Sequence, residues 1–163
     1  MTVVTEGAPA LPDAFAGWVR PHLAPMARLA ARLAPDADRD DVVQEALTRA
    51  WLKRHQYDAR RGTPSAWLLA ITADQARKAT TRRRPRPTTI DGAAVAATTE
   101  DRVDLERALG RLTNRQRLAI DCVYFVGLSI VETAAVMRCA EGTVKSTLAD
   151  ARAKLRVLLE VSE

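Results

Sequence analysis

The chain has 163 residues, is 47% hydrophobic and 28% charged, and carries a formal net charge of +5. That length holds one domain or two small ones, and that balance folds rather than staying disordered. Two cysteines, the absence of a charged-then-apolar leader and the absence of a long apolar run argue against a disulfide scaffold, a secreted protein and a membrane-inserted one. A soluble, cytoplasmic protein is expected.

The charge is uneven. Residues 52–86 carry 10 basic and 2 acidic groups, whereas residues 101–163 carry 10 and 9. A block of that kind is a local electrostatic footprint for an anionic partner.

Helical periodicity runs through the chain in order. Phe15, Trp18, Val19 and His22 share one helical face, with Pro21 and Pro25 as breaks or kinks. Met26, Leu29, Ala30 and Leu33 continue helically to Pro35. Asp38 is placed as an N-cap, with acidic residues filling the first turn that follows. That helix carries a stripe of Val43, Ala46, Leu47, Ala50 and Trp51. Asp58 to Gly62 reads as a loop, and Thr63 before Pro64 reads as an N-cap with proline at N1. The helix so opened runs through Trp67, Leu68 and Ile71 to Arg77 and Lys78, and stops at the RRRPRP run, Arg82 to Pro87.

Residues 85–100 lack an apolar face and read as a flexible linker. A helix follows from near Thr99, with Val103, Leu105, Ala108, Leu109 and Leu112 as its apolar set. Thr113 with Gln116, and Ser129 with Glu132, are two capping boxes. The first opens a helix carrying Leu118, Cys122, Val123 and Phe125 and ending at Gly127. The second opens a short helix with Ile130, Thr133, Ala134 and Met137. A turn, Arg138 to Gly142, leads to a last helix striped by Val144, Leu148, Ala151, Leu155 and Leu158. No strand pattern competes. The expected fold is all-α, two small helical bundles spanning 10–84 and 101–163, joined by the 85–100 linker.

Catalytic motifs are missing. His22 and His55 stand apart without motif partners, and the chain has no nucleophile elbow, no zinc-protease signature and no phosphate-cradling glycine loop. The acidic run Asp36, Asp38, Asp40, Asp41 lacks metal-loop spacing, and helix-start electrostatics account for much of it. Cys122 and Cys139 have apolar neighbours and read as buried free thiols. No enzyme, no cofactor and no metal is expected.

Two capped helices joined by a short turn, with small polar and basic residues on the second, form the arrangement that reads DNA. With Val144 facing the core, Ser146, Ala149, Asp150 and Ala153 point outward, flanked by Lys145, Arg152 and Arg156. Small residues permit close approach to base edges, and the flanking cations suit phosphates. An ordinary exposed helix face is the alternative for this segment taken alone.

Three stretches, in order, resemble the small extracytoplasmic-function (ECF) sigma factors of bacterial RNA polymerase, within the sigma-70 family. DADRDDVVQEALTRAW resembles region 2.2, and YDARRGTPSAWLLAIT with the arginine cluster resembles regions 2.3 and 2.4. LTNRQRLAIDCVYFVGLSIVETAAVMRCAEGTVKSTLADARAKL resembles region 4. The resemblance implies an alternative sigma factor that brings core polymerase to −35 and −10 promoter elements and starts transcription. It implies that Asp40, Asp41, Gln44, Glu45 and Thr48 dock on the β′ clamp, and that region 4 meets the β flap. It assigns the −10 element to Arg60, Arg61, Trp67, Asp74, Arg77, Lys78 and Arg82, with Arg83 and Arg84 adding charge. A flipped base would need a pocket and a basic groove there. The position of Trp67 on its helix also suits a core residue. The −35 element falls to Arg115, Arg117, Thr143, Lys145, Ser146, Thr147, Ala149, Asp150 and Arg152. The linker would thread through the polymerase, and an anti-sigma partner is a family expectation that no residue here displays.

The chain departs from the family pattern at four places. Arg138 stands where the turn usually has Gly, Asp74 where Asn is common, and Arg77-Lys78 where an aliphatic–Asp pair is usual. Asp150 stands where Arg is frequent, so a guanine reader is replaced by a group that accepts from cytosine and repels phosphate. A stand-alone helix–turn–helix regulator and a helical interaction protein are the competing readings.

Overall fold

The computed structural model describes residues 7–82 and 99–161. The described residues form helices and turns without a strand: α1 (Pro12–Val19), α2 (Leu23–Leu33), α3 (Arg39–Leu52), α4 (Pro64–Arg82), α5 (Thr99–Gly110), α6 (Asn114–Ile120), α7 (Ile130–Met137) and α8 (Glu141–Glu160). Residues 1–6 and most of the expected linker lie outside them; the helix expected near Thr99 begins there.

The capping signals act as their chemistry dictates. Asp38 accepts from the backbone N–H of Asp40 at 2.9 Å and of Asp41 at 3.3 Å, satisfying two of the four free donors at the start of α3. Thr63 accepts from the Ala66 N–H at 3.1 Å. Thr113 and Gln116 close a full capping box on α6, as Ser129 and Glu132 do on α7. Pro21 sits in a short 3-10 turn between α1 and α2, where its missing donor removes no helical bond.

α2, α3 and α4 pack around Met26, Leu29, Ala46, Ala50, Leu68, Leu69 and Ala73. An aromatic chain closes one end. The Phe15 ring meets Trp51 edge-on at 5.2 Å, and Trp18 lies 5.2 Å from Tyr57 and 6.1 Å from Trp67. A second cluster holds Leu109, Ile120, Ala134, Met137, Val144, Leu148 and Ala151, joining α5 to α8.

The two clusters meet. Cys122, Val126, Leu128 and Val136 belong to the first, although they lie in the C-terminal half. α4 packs more extensively against α7 than against any other element. The bundles expected from the pattern are therefore seated on each other rather than held apart.

Several local expectations change. On α3, Val42 is the buried valine, and Val43, Leu47 and Trp51 are only partly covered. On α5, Val103 and Leu105 are exposed, and only Ala108 and Leu109 enter the core. Gly142 lies inside α8, so the turn is shorter than Arg138 to Gly142. The helix after Thr113 passes from α into a π turn at Asp121–Val126 and ends at Gly127 with φ of 81°. A π turn shifts the faces that follow it. Asp121 is buried, whereas Phe125, four residues on, is 44% exposed with the Arg32 guanidinium 3.8 Å above its ring. Cys122 is buried, and Cys139 is half-buried.

Asp121 is the charged centre of the junction. It accepts from Arg32 Nε at 2.8 Å, and Arg117 Nε stands 3.7 Å away. Arg117 also donates to Glu106 at 3.3 Å. Burial raises the Asp121 carboxyl above its ordinary range, while Arg32 and Arg117 pull it back. Asp121→Ala removes the Arg32 hydrogen-bond acceptor, leaving Glu106 as a more distant counter-charge, and is expected to lower unfolding stability by about 2–3 kcal/mol, read as an earlier urea midpoint. Burial, and then Asp121, pushes the Cys122 thiol up to about 12, so it stays protonated and inert at neutral pH. A disulfide reagent at pH 8 is expected to modify Cys139 in the folded chain and Cys122 only after denaturation.

Candidate nucleic-acid interface

The polar face of α3 is built by elimination. Val42, Ala46 and Ala50 turn inward, which leaves Asp40, Asp41, Gln44, Glu45 and Thr48 exposed on the opposite side. Within that face Glu45 accepts from Arg49 at 3.1 Å and Thr48 donates to the Gln44 carbonyl at 3.0 Å. The face stays acidic and presents acceptors to solvent.

The loop between α3 and α4 is held from both ends. Tyr57 is buried, and its hydroxyl donates to the Gly62 carbonyl at 3.1 Å. Asp58 accepts from the Arg60 backbone N–H at 2.9 Å and from its guanidinium at 3.2 Å. Those bonds to Arg60 hold the Asp58 carboxyl below its ordinary range. Arg60 is thus tied to its own loop, while Arg61 projects outward. Trp67 is partly buried, 5.4 Å from Tyr57, and packs against the first apolar cluster. It belongs to the wall of the loop more than to an open stacking platform.

Further along α4 the expected reading residues are engaged. Arg77 donates to Asp74 at 2.7 Å and to the Val136 carbonyl of α7 at 2.8 Å. Asp74 also accepts from Arg138, in the turn before α8. Lys78 is exposed. Arg82 is the last residue of α4, and Arg83 and Arg84 lie outside the described residues.

The second surface is α8. Thr143, Lys145, Ser146, Ala149, Asp150 and Arg152 are all exposed, opposite buried Val144, Leu148 and Ala151. Thr147 is half-buried at the edge of that face. Arg152 donates to the Tyr124 hydroxyl at 3.0 Å. Arg115 is exposed at the start of α6. Arg117 differs from expectation: its guanidinium faces Glu106 and Asp121 and serves the junction.

Arg138 is the one non-glycine with positive φ among the described residues, at φ 53° and ψ 48°. This is the left-handed conformation that glycine normally supplies at a helix end. Holding a side chain there costs about 1–2 kcal/mol. Sequence reasoning flagged Arg138 and Asp74 as separate departures; the structure pairs them. Glu106 and Asp121 carry no local signal, because both meet Arg32, which lies far away in the chain; the bond from Tyr57 to Gly62 is a loop contact outside helical periodicity.

The chain matches two families with this architecture. "Sigma-70 region 2" matches over residues 18–86, and "Sigma-70, region 4" over residues 102–155. It is 38% identical over 141 residues to the ECF RNA polymerase sigma factor SigM of Mycobacterium tuberculosis, covering 82% of this chain and 69% of that one. With SigC of the same species it shares 36% identity over 136 residues, covering 77% and 72%. Among solved structures, CnrH in complex with the cytosolic domain of CnrY superposes with a TM-score of 0.66 at 30% identity, covering 94% and 92%. The sigma factor RpoE of Bartonella quintana, solved with the anti-sigma factor NepR, gives 0.65 at 28%, covering 94% and 100%.

Helical bundles with an exposed acidic face and a helix–turn–helix are the architecture that these matches share, and the matches give the class: a transcription-initiation protein. The chain belongs to the extracytoplasmic-function sigma factors of the sigma-70 family. It is an alternative sigma factor: it works with core RNA polymerase and promoter DNA to initiate transcription, and the stand-alone regulator is not favoured.

Asp150 lies at the middle of the exposed α8 face, where a carboxylate can accept from cytosine N4. Asp150→Arg is expected to change the preferred bases selected from a randomised −35 library; an unchanged preference removes Asp150 from base readout.

Proposed function

We propose that the three exposed surfaces divide promoter recognition among them. The observation that carries this is the separation of free from engaged polar groups. The acidic α3 face is exposed and opposite a buried stripe, which suits docking on the β′ clamp through Asp40, Asp41, Gln44, Glu45 and Thr48. The braced loop at Asp58–Gly62, Arg61 above all, and the exposed Lys78 suit the −10 strand. Arg60 and Trp67 act there by shaping the loop, and Asp74 and Arg77 join once their partners on the C-terminal half release them.

The −35 element is assigned to Thr143, Lys145, Ser146, Thr147, Ala149, Asp150 and Arg152, with Arg115 on phosphate. Arg117 supports this surface from the junction. Val157, Leu159 and Val161 leave an exposed apolar end on α8, a surface of the kind that meets protein and suits the β flap. The bundles are assigned to 10–84 and 101–163, with 85–100 as the connection threading through the polymerase. The relatives solved with CnrY and NepR support an anti-sigma partner for this chain as well. The protein performs no catalysis itself and acts in the cytoplasm, where the polymerase is; among the described residues no helix is long and apolar enough to cross a membrane.

Run-off transcription with purified core polymerase tests the division. Asp41→Lys with Glu45→Lys is expected to weaken core binding about tenfold or more. Lys145→Ala with Arg152→Ala is expected to leave core binding unchanged and to lower transcription from −35-dependent templates, most at high salt. Equal loss of core binding in both variants contradicts the assignment.

A further inference from the structure

The π turn after α6 sends Asp121 inward and Tyr124 outward. Ile120 is buried, and in a regular helix a residue four positions on lies within about 40° of the same face. Tyr124 holds that position yet is 55% exposed, because the wider i→i+5 turn of Asp121–Val126 rotates it away. Its hydroxyl is brought to α8, where it accepts from Arg152 Nη1 at 3.0 Å. Arg152 is exposed and stands in a row along α8 with Lys145 and Ala149, at i, i+4 and i+7.

The bond changes what both side chains can do. An exposed arginine samples many rotamers and must be ordered when it binds. The bond to Tyr124 orders it beforehand. The phenol oxygen accepts in that bond, so its own proton is left for a second acceptor. The guanidinium keeps its other N–H donors, and its partner is a neutral hydroxyl that leaves its charge uncompensated.

We propose that Tyr124 is a positioning residue for −35 recognition, forming with Arg152 a two-armed clamp on one backbone phosphate at the edge of the element. The proposal rests on the assignment of Arg152 to the −35 surface. Phosphate is the group that fits, because phenol and guanidinium are both donors and the pair is cationic. A reading helix meets base edges with its N-terminal residues. Arg152 lies beyond the small residues Ser146 and Ala149, in the third turn or later of α8, and Tyr124 lies on another element. The clamp therefore sets where α8 sits on the duplex, not which bases it reads.

Promoter binding by holoenzyme reconstituted with core polymerase tests this, on duplexes carrying one methylphosphonate at each −35 backbone position in turn. Tyr124→Phe keeps the ring and loses the hydroxyl. It is expected to weaken binding about threefold or more, with no change in the bases selected from a randomised −35 library. Arg152→Ala is expected to weaken binding further, and Tyr124→Phe added to it is expected to cost almost nothing more. Neutralising one particular phosphate is expected to bring the parent and Tyr124→Phe to equal affinity. A Tyr124→Phe chain that binds as the parent does, a deficit that no methylphosphonate removes, a full extra loss in the double variant or an altered base preference overturns the clamp. If Arg152→Ala changes nothing while Lys145→Ala weakens binding, Arg152 leaves the −35 surface and the clamp falls with it, but the assignment of α8 stands. If neither substitution matters, that assignment falls as well.

Discussion

The bond between Arg32 and Asp121 fixes how the rest of this molecule is arranged. It joins α2 to the π turn after α6, with Asp121 almost fully enclosed. A buried carboxylate requires a close counter-charge, and the Arg32 guanidinium supplies it through a single Nε bond. Glu106 and Arg117 extend the network into α5 and α6, so four charged side chains set the position of the C-terminal helices against the N-terminal bundle. The π turn is what brings Asp121 inward and sends Phe125 out beneath Arg32. Once that junction is set, α7 lies along α4.

The same arrangement sorts the cations into two groups. Arg28, Arg32, Arg77, Arg117 and Arg138 are engaged across or near the junction. Arg61, Lys78, Arg115 and Lys145 remain on the surface. Net charge alone does not distinguish the groups.

Local rules in the sequence announced much of this. The caps at Asp38, Thr63, Thr113 and Ser129 involve groups two or three residues apart, so a short window contains both partners. The faces of α3 and α8 follow from 3.6-residue periodicity, and their outward residues emerged where the pattern put them. The resemblance to sigma regions 2 and 4 supplied the family. Periodicity failed on α5, because only its C-terminal turn reaches the core and Val103 and Leu105 are left outside. It failed again at Phe125, because the π turn shifts the register. The pairing of Asp74 with Arg138 was illegible for a simpler reason: nothing in a single sequence links two residues that far apart.

The two halves of the chain share one apolar cluster and are expected to open as a unit. Hydrogen exchange of the amides of Leu68–Ala76 in α4 and Thr133–Met137 in α7 measures this directly. The structure predicts that both segments exchange through openings of the same free energy, and that Asp121→Ala lowers both together. Exchange of α7 through a much cheaper opening, with α4 unaffected by that substitution, would contradict the shared core.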